Sequence, residues 1–158
     1  MTLSNLERMI KLADDVFDIK SDPYQLDVNQ EVIERLQMIH PATVSEYIDE
    51  NGPVAWLLVI PTSTELMHRF LKCEISEKEL FELTSPDKTY EAIYLCSALV
   101  LEEYRRKGIT KQLLTEAVGK IRKEYPIKAL FVWAFSKEGD LASEAISKLV
   151  SLPLLRRI

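Results

Sequence analysis

Tyr104-Arg105-Arg106-Lys107-Gly108-Ile109-Thr110 joins an apolar strand, Ile93 to Leu101, to an amphipathic helix that begins near Gly108. Ile109, Leu113, Leu114, Ala117, Val118 and Ile121 recur along that helix at a helical period. Beyond it, Ile127 to Phe135 is almost continuously apolar, as expected for a strand buried on both faces. Strand, helix and strand in this order make a βαβ unit, which demands parallel strands and a right-handed crossover. The loop at 104–110 therefore sits at the C-terminal end of a parallel strand, where α/β sheets bind their ligands.

The chemistry of the loop suits phosphate. The first N–H groups of a helix have no intrahelical partner, and the helix dipole places partial positive charge there. Gly108 lets the backbone approach an anion without a Cβ in the way, and Arg105, Arg106 and Lys107 add full charges. The alternative is a basic surface loop ahead of an ordinary helix.

Composition narrows the class. A chain of 158 residues, 47% hydrophobic, fits one domain with a sizeable core. Its longest apolar run, Val54 to Ile60, is far shorter than the roughly 20 residues that span a bilayer. The first residues lack a signal-peptide core, so a cytoplasmic protein with no membrane partner is expected. Cys73 and Cys96 have no metal-binding spacing, so neither a disulfide framework nor a metal site is expected. Residues 1–90 carry 17 acidic and 8 basic side chains, whereas residues 91–158 carry 8 and 12. An anionic ligand on the second half and a cationic one near the first suit this split, although an ordinary solvated surface explains it too. Basic residues without interleaved aromatics argue against nucleic acid.

Elsewhere the chain reads as helices with one strand. Ser4-x-x-Glu7 is a capping box ahead of Leu6, Met9, Ile10, Ala13, Val16 and Phe17, and Ser21-Asp22-Pro23 breaks that helix. A second helix is predicted over Asn29 to Met38. Thr43-x-x-Glu46 predicts a short third one, ended by Asn51-Gly52-Pro53. Val54 to Ile60 is a strand. Helices follow at 63–72 and 77–83, with Thr62-x-x-Glu65 and Ser76-x-x-Glu79 as caps, and Ser85-Pro86-Asp87 turns the chain. A last helix over 140–150 is expected to turn Leu141, Ala145, Ile146 and Leu149 inward.

The run from Val100 to Thr110 resembles the acetyl-CoA motif of the GNAT superfamily of N-acetyltransferases. That motif runs strand, (Gln/Arg)-x-x-Gly-x-(Gly/Ala), helix; Arg105 and Gly108 match its first and fourth positions, and Thr110 departs at the sixth. The resemblance covers roughly residues 90–150. It implies an α/β fold: a GNAT-like mixed sheet with a central βαβ unit, an atypical helix-rich N-terminal half and a shortened C-terminus. It implies one domain over 1–158, with 1–88 as a helix-rich acceptor-side half and 89–150 as the acetyl-CoA-binding core. The implied reaction moves an acetyl group from acetyl-CoA, a co-substrate, to a small amine or a lysine side chain, and a homodimer is left open. The backbone of Leu99, Val100 and Leu101 would pair with the pantetheine arm. The N–H groups of Arg105, Arg106, Lys107, Gly108, Ile109 and Thr110 would hold the pyrophosphate, while the two βαβ strands splay to admit the thioester. Family members often carry an Asn after the second strand, where Ser136 stands here, and a Tyr acid in the next helix, which has none here. That departure and the short C-terminus keep a second reading in play, a catalytically inactive GNAT-derived CoA-binding or regulatory domain.

Acyl transfer to an amine needs a base for the ammonium proton, donors for the oxyanion and an acid for the thiolate. Strand alternation puts Glu91, Ile93, Leu95, Ser97 and Leu99 on one face, with Tyr90, Ala92, Tyr94, Cys96 and Ala98 on the other. Glu91 is the base candidate, acting directly or through water; a solvated strand-end carboxylate is its ordinary reading. Tyr94 is the candidate acid or substrate-positioning group, and a packed aromatic is its ordinary reading. Cys96 reads as an inert thiol, and His40 and His68 as structural side chains. Trp133 and Phe135 line an acyl pocket or simply fill the core. Asp49, Glu50 and Glu65 flank the first-half strand, facing either a cationic acceptor or solvent.

Overall fold

The computed structural model describes residues 3–19, 30–86, 88–133 and 137–157. Two helices open it, α1 (Asn5–Ile19) and α2 (Gln30–Ile39). Ser4 caps the first, its hydroxyl oxygen accepting from the Glu7 N–H at 3.2 Å. The predicted break at Ser21 to Pro23 lies outside the described residues, as do the side chains of Val16 and Phe17. α1 does not bury all of its apolar residues. Met9 is fully covered and Leu12 and Ala13 pack on the core, whereas Leu6 and Ile10 are exposed.

The predicted helix after Thr43 is a strand. A 3-10 turn over Pro41–Thr43 leads into β1 (Val44–Asp49), which pairs antiparallel with β2 (Gly52–Thr62). Its sequence is V-S-E-Y-I-D, where β-branched and aromatic residues favour extended backbone. Gly52 makes the hairpin tight: its φ is +113°, a conformation closed to ordinary L residues. What read as a helix stop is a hairpin turn.

Two short helices follow, α3 (Thr64–Leu71) and α4 (Glu77–Leu83). The α3 cap is Ser63 rather than Thr62, accepting from the Leu66 N–H, while Thr62 is buried in β2 and shares a hydrogen bond with Thr84. The capping box at Ser76 and Glu79 is complete in both directions. Then come β3 (Ala92–Val100), α5 (Ile109–Glu124), β4 (Ala129–Val132), α6 (Lys137–Val150) and β5 (Leu154–Arg156). The inward residues of α6 include Ser143 and Ile146; Leu141 and Leu149 are exposed, which reverses the expectation for those two.

The sheet runs β1-β2-β3-β4-β5, antiparallel through β3 and parallel from β3 to β5. It is a five-stranded mixed sheet, and the first half supplies the meander's first two strands. The apolar stripe of α5 is buried as predicted, from Ile109 to Ile121.

Two irregularities shape the middle of the sheet. Leu58 faces Ser97 while Val59 faces Leu95, so Cys96 is the extra residue of a β-bulge. The strict alternation expected along β3 is interrupted there. One turn of the pleat earlier, β3 loses β4. The two strands pair only over Ala92–Tyr94 and Ala129–Phe131, and β3 runs on to Val100 with no further β4 partner among the described residues. The sheet therefore forks toward the C-terminal ends of β3 and β4, the direction that the family resemblance implies. Phe70 of α3 packs edge-on against Tyr94, Phe131 and Trp133 at this point, with centroids 5.0, 5.9 and 6.2 Å away.

Candidate acyl-CoA site

Past the fork, β3 ends in a 3-10 turn over Glu102–Tyr104, closed by the Tyr104 N–H to the Leu101 carbonyl at 2.9 Å. Arg106 and Gly108 then take φ values of +64° and +79°. Gly108 adopts this freely. Arg106 does not, since a left-handed residue with a side chain costs roughly 1–2 kcal/mol. Strain of this kind concentrates at ligand-binding turns. Arg106→Gly is therefore expected to hold the unliganded stability level or raise it by up to about 1 kcal/mol, relief of strain being offset by the entropy of an added glycine. A urea titration of the two proteins reads this out, and a loss above about 1 kcal/mol would contradict it.

Gly108 is the N-cap of α5 and no side chain caps the helix. The Gln112 N–H to the Gly108 carbonyl, 2.9 Å, is the first rung of the ladder, so the N–H groups of Gly108, Ile109, Thr110 and Lys111 lie ahead of it. A Cβ at Gly108 would meet nothing within 4 Å, which leaves open space at the helix mouth. Four unladdered N–H groups, a helix dipole and nearby cations are the chemistry that an anion site calls for. Arg105, Arg106 and Lys107 are all exposed. Arg105 Nε donates to the Val100 carbonyl at 3.1 Å, and Lys107 Nζ lies 5.5 Å from the Tyr104 ring centre. Thr110 is half-buried in the first turn. Ser136 lies outside the described residues, as does Phe135.

The remaining sequence candidates lie elsewhere along β3. Leu99 and Leu101 are buried and Val100 half-buried. Glu91 precedes the first residue of β3, at the end opposite the loop, and pairs with Lys128 Nζ at 3.1 Å. Tyr94 closes the paired segment at the base of the fork. It is fully buried and its hydroxyl donates to Glu77 Oε2 at 2.6 Å. Burial first, and the neighbouring Glu77 charge second, hold the Tyr94 phenol well above its ordinary range. Arg157, just after β5, stacks over Phe70 and Trp133 at 4.5 and 4.4 Å and donates to the Ile75 carbonyl.

Glu77 and Arg157 were not singled out from the sequence. A glutamate in the first turn of a capped helix reads as a dipole partner, and only the fold brings it under Tyr94. His40 is structural, its Nδ1 accepting from the Ala42 N–H at 3.0 Å while Nε2 meets Glu124. It also borders a cavity of about 500 Å³ between β1 and the C-terminal half of α5, lined in part by Glu46, Glu116 and Lys120. No loop residue lines that cavity, and the chemistry described above is not there.

Asp49 is half-buried and engaged by groups of the chain itself. It closes β1, and its carboxylate accepts from the Tyr104 hydroxyl, from Asn5 Nδ2 at 3.2 Å and from the Asn51 N–H at 2.8 Å. The Tyr104 hydrogen bond, then the Asn51 N–H, hold its carboxyl below the ordinary value, and the same bond raises the Tyr104 phenol. Arg8 in turn holds Glu103 low. Depressed carboxylates contribute stability above their unfolded values of about 4, and that contribution is lost as pH falls through the folded values.

Among the described residues no group of three or more His, Cys, Asp or Glu could hold a metal ion, and no helix is long and apolar enough to cross a membrane. No curated protein matches the sequence. The model of the acetyltransferase (GNAT) family matches residues 13–145, a span that takes in both strands of the fork, the loop and α5. Members of this family generally bind acetyl-CoA or a related acyl-CoA, and the open, uncapped mouth of α5 beside a parting pair of strands fits such a ligand. The chain belongs to the GNAT acetyltransferase family.

Proposed function

We propose that the chain is an N-acyltransferase that moves an acetyl group from acetyl-CoA to a small amine or a lysine side chain. The observation that carries this reading is the coincidence of two features at one end of β3: the sheet forks after Tyr94, and the uncapped N-terminus of α5 opens beside it. In this reading the free edge of β3 at Leu99–Leu101 pairs with the pantetheine arm. The N–H groups and charges from Arg105 to Thr110 hold the pyrophosphate, with Ser136 near the second strand's end. Residues 89–150 form the acyl-CoA core and residues 1–88 the acceptor side. In the reaction the amine nitrogen attacks the thioester carbonyl and the C–S bond breaks. The ammonium proton passes to a base, and the departing thiolate takes a proton.

Glu91 is the proposed base. It stands about five residues, roughly 16 Å, ahead of the bulge, too far for one water to bridge, so the proton reaches it along a chain of waters. Tyr94 is the proposed positioning group. A phenol held well above its ordinary range keeps its proton and serves as a poor acid for a thiolate whose own pKa is near 8.5. Solvent then protonates the thiolate.

A second reading, CoA binding without turnover, is favoured by one observation: Tyr94 is fully buried and its hydroxyl is already committed to Glu77. Thiol release from acetyl-CoA with a panel of amines separates the two. Turnover with at least one amine is expected, and Glu91→Gln should lower kcat roughly 10²-fold without changing acetyl-CoA affinity. Full kcat in that variant moves the base elsewhere. Binding of CoA with no thiol released by any amine gives the lead to the second reading.

A further inference from the structure

The loop that holds the cofactor in this proposal is tied to the other half of the chain. The tie is made by the 3-10 turn that feeds it. Tyr104 donates to Asp49 at the end of β1, and Asp49 also receives Asn5 Nδ2 from the first turn of α1. One residue earlier in the turn, Glu103 meets Arg8 Nη2, also from α1, at 2.6 Å. The Asn51 N–H, in the hairpin turn, completes the set around Asp49. On the loop side, Lys107 lies over the Tyr104 ring, and Arg105 reaches back to the Val100 carbonyl. Three segments far apart in sequence, α1, the β1–β2 hairpin and the turn, thus meet at one side-chain cluster directly before the strained loop. Gly52 adds a close approach: a Cβ there would meet the Asn5 Cβ at 3.4 Å, so α1 rests on the hairpin with little slack.

We propose that Tyr104 is a positioning residue for the 105–110 loop, and that through Asp49, with Arg8–Glu103 beside it, it couples that loop to the N-terminal helix. This rests on the reading of the loop as the acyl-CoA site. Its physical basis is the cost of ordering. A loop with left-handed residues at 106 and 108 binds an anion well only when its entry is already fixed, because otherwise ordering it is charged against binding. A phenol bound to a carboxylate fixes that entry, and the carboxylate's other partners fix α1 and the hairpin at the same time. Binding at the loop and the seating of α1 are then two readings of one junction.

The test titrates coenzyme A into the intact protein by calorimetry. Tyr104→Phe, which removes only the hydroxyl, should weaken binding about tenfold. Asp49→Ala should do the same. Asp49→Asn keeps an oxygen to accept from Tyr104 and should restore most of the affinity, a rescue that a general loss of packing would not show. Arg8→Gln, altered on α1 alone, should weaken binding several-fold. Wild-type affinity in both Tyr104→Phe and Arg8→Gln would overturn the coupling. Amide exchange of the free protein provides an arm that needs no ligand. Tyr104→Phe should speed exchange in the first turns of α1, and unchanged rates there would overturn the coupling as well. A wild-type protein that does not bind coenzyme A at all would instead sink the acyl-CoA reading, leaving exchange to decide whether Tyr104 seats α1.

Discussion

Phe70→Ala is expected to lower the free energy of unfolding by about 3–5 kcal/mol, the range for emptying a fully buried aromatic site. Phe70 has no exposed surface, and it contacts the rings of Tyr94, Phe131 and Trp133 edge-on, a geometry that adds to simple burial. The Arg157 guanidinium also stacks over the Phe70 ring, so truncation strips a cation of one of its two aromatic faces. The site sits at the base of the fork, where Tyr94 and Phe131 are held in place by their pairing with β2 and β5, so the walls cannot readily close on the space that Phe70 leaves. Urea unfolding measures the effect. Phe70→Leu, keeping most of the volume, should cost far less, and a loss under about 1 kcal/mol in Phe70→Ala would mean that the four rings do not form one core.

The second half of the chain was legible because its signals are local and mutually consistent. The α5 stripe, the apolar strand after it and the glycine at the helix mouth each point to βαβ and so to parallel strands, while the divergence of those strands came from the family resemblance. The first half was less so. Val44 to Asp49 alternates weakly because it is an edge strand that buries no residue fully and leaves the apolar Ile48 exposed, and the acidic residue three places after Thr43 imitates a helix start. The pairing with β2 decides its conformation, and its one local signal, Asn51-Gly52 between two apolar stretches, serves a helix stop as well as a hairpin turn. The same limit explains α1 and α6. Each has more apolar residues than one face can bury, so periodicity alone could not tell that Leu6 and Ile10 stay exposed, and it turned Leu141 and Leu149 inward where the packing leaves them exposed.

The candidate site divides in the same way. Arg105 to Thr110 are contiguous, so their meeting at a helix mouth follows from sequence order alone. The Tyr94–Glu77 and Tyr104–Asp49 contacts join residues 17 and 55 positions apart, and a carboxylate that ends under a tyrosine looks, in sequence, like any solvated acid. The bulge at Cys96 belongs to this class too. It arises from how β2 and β3 register, and it upsets the alternation on which the faces of β3 were assigned.

The largest functional effect is expected at the loop. A ligand bound only by the native state stabilises it by RT ln(1 + [L]/Kd), about 2.7 kcal/mol at a hundredfold excess over Kd. Coenzyme A should supply this to the wild-type protein. Arg105→Ala with Arg106→Ala should remove most of the gain, because the two charges proposed to face the phosphates are lost while the helix N–H groups remain. The unliganded protein should lose no more than about 1 kcal/mol, the worth of the exposed Arg105 bond to the Val100 carbonyl. Thermal unfolding of the two proteins side by side, with and without coenzyme A, is the most direct measurement of the central claim. A clear ligand-dependent rise in the wild type that nearly vanishes in the double variant is the predicted result. An equal rise in both, or none in either, would show that the 105–110 loop is not where this chain holds an acyl-CoA.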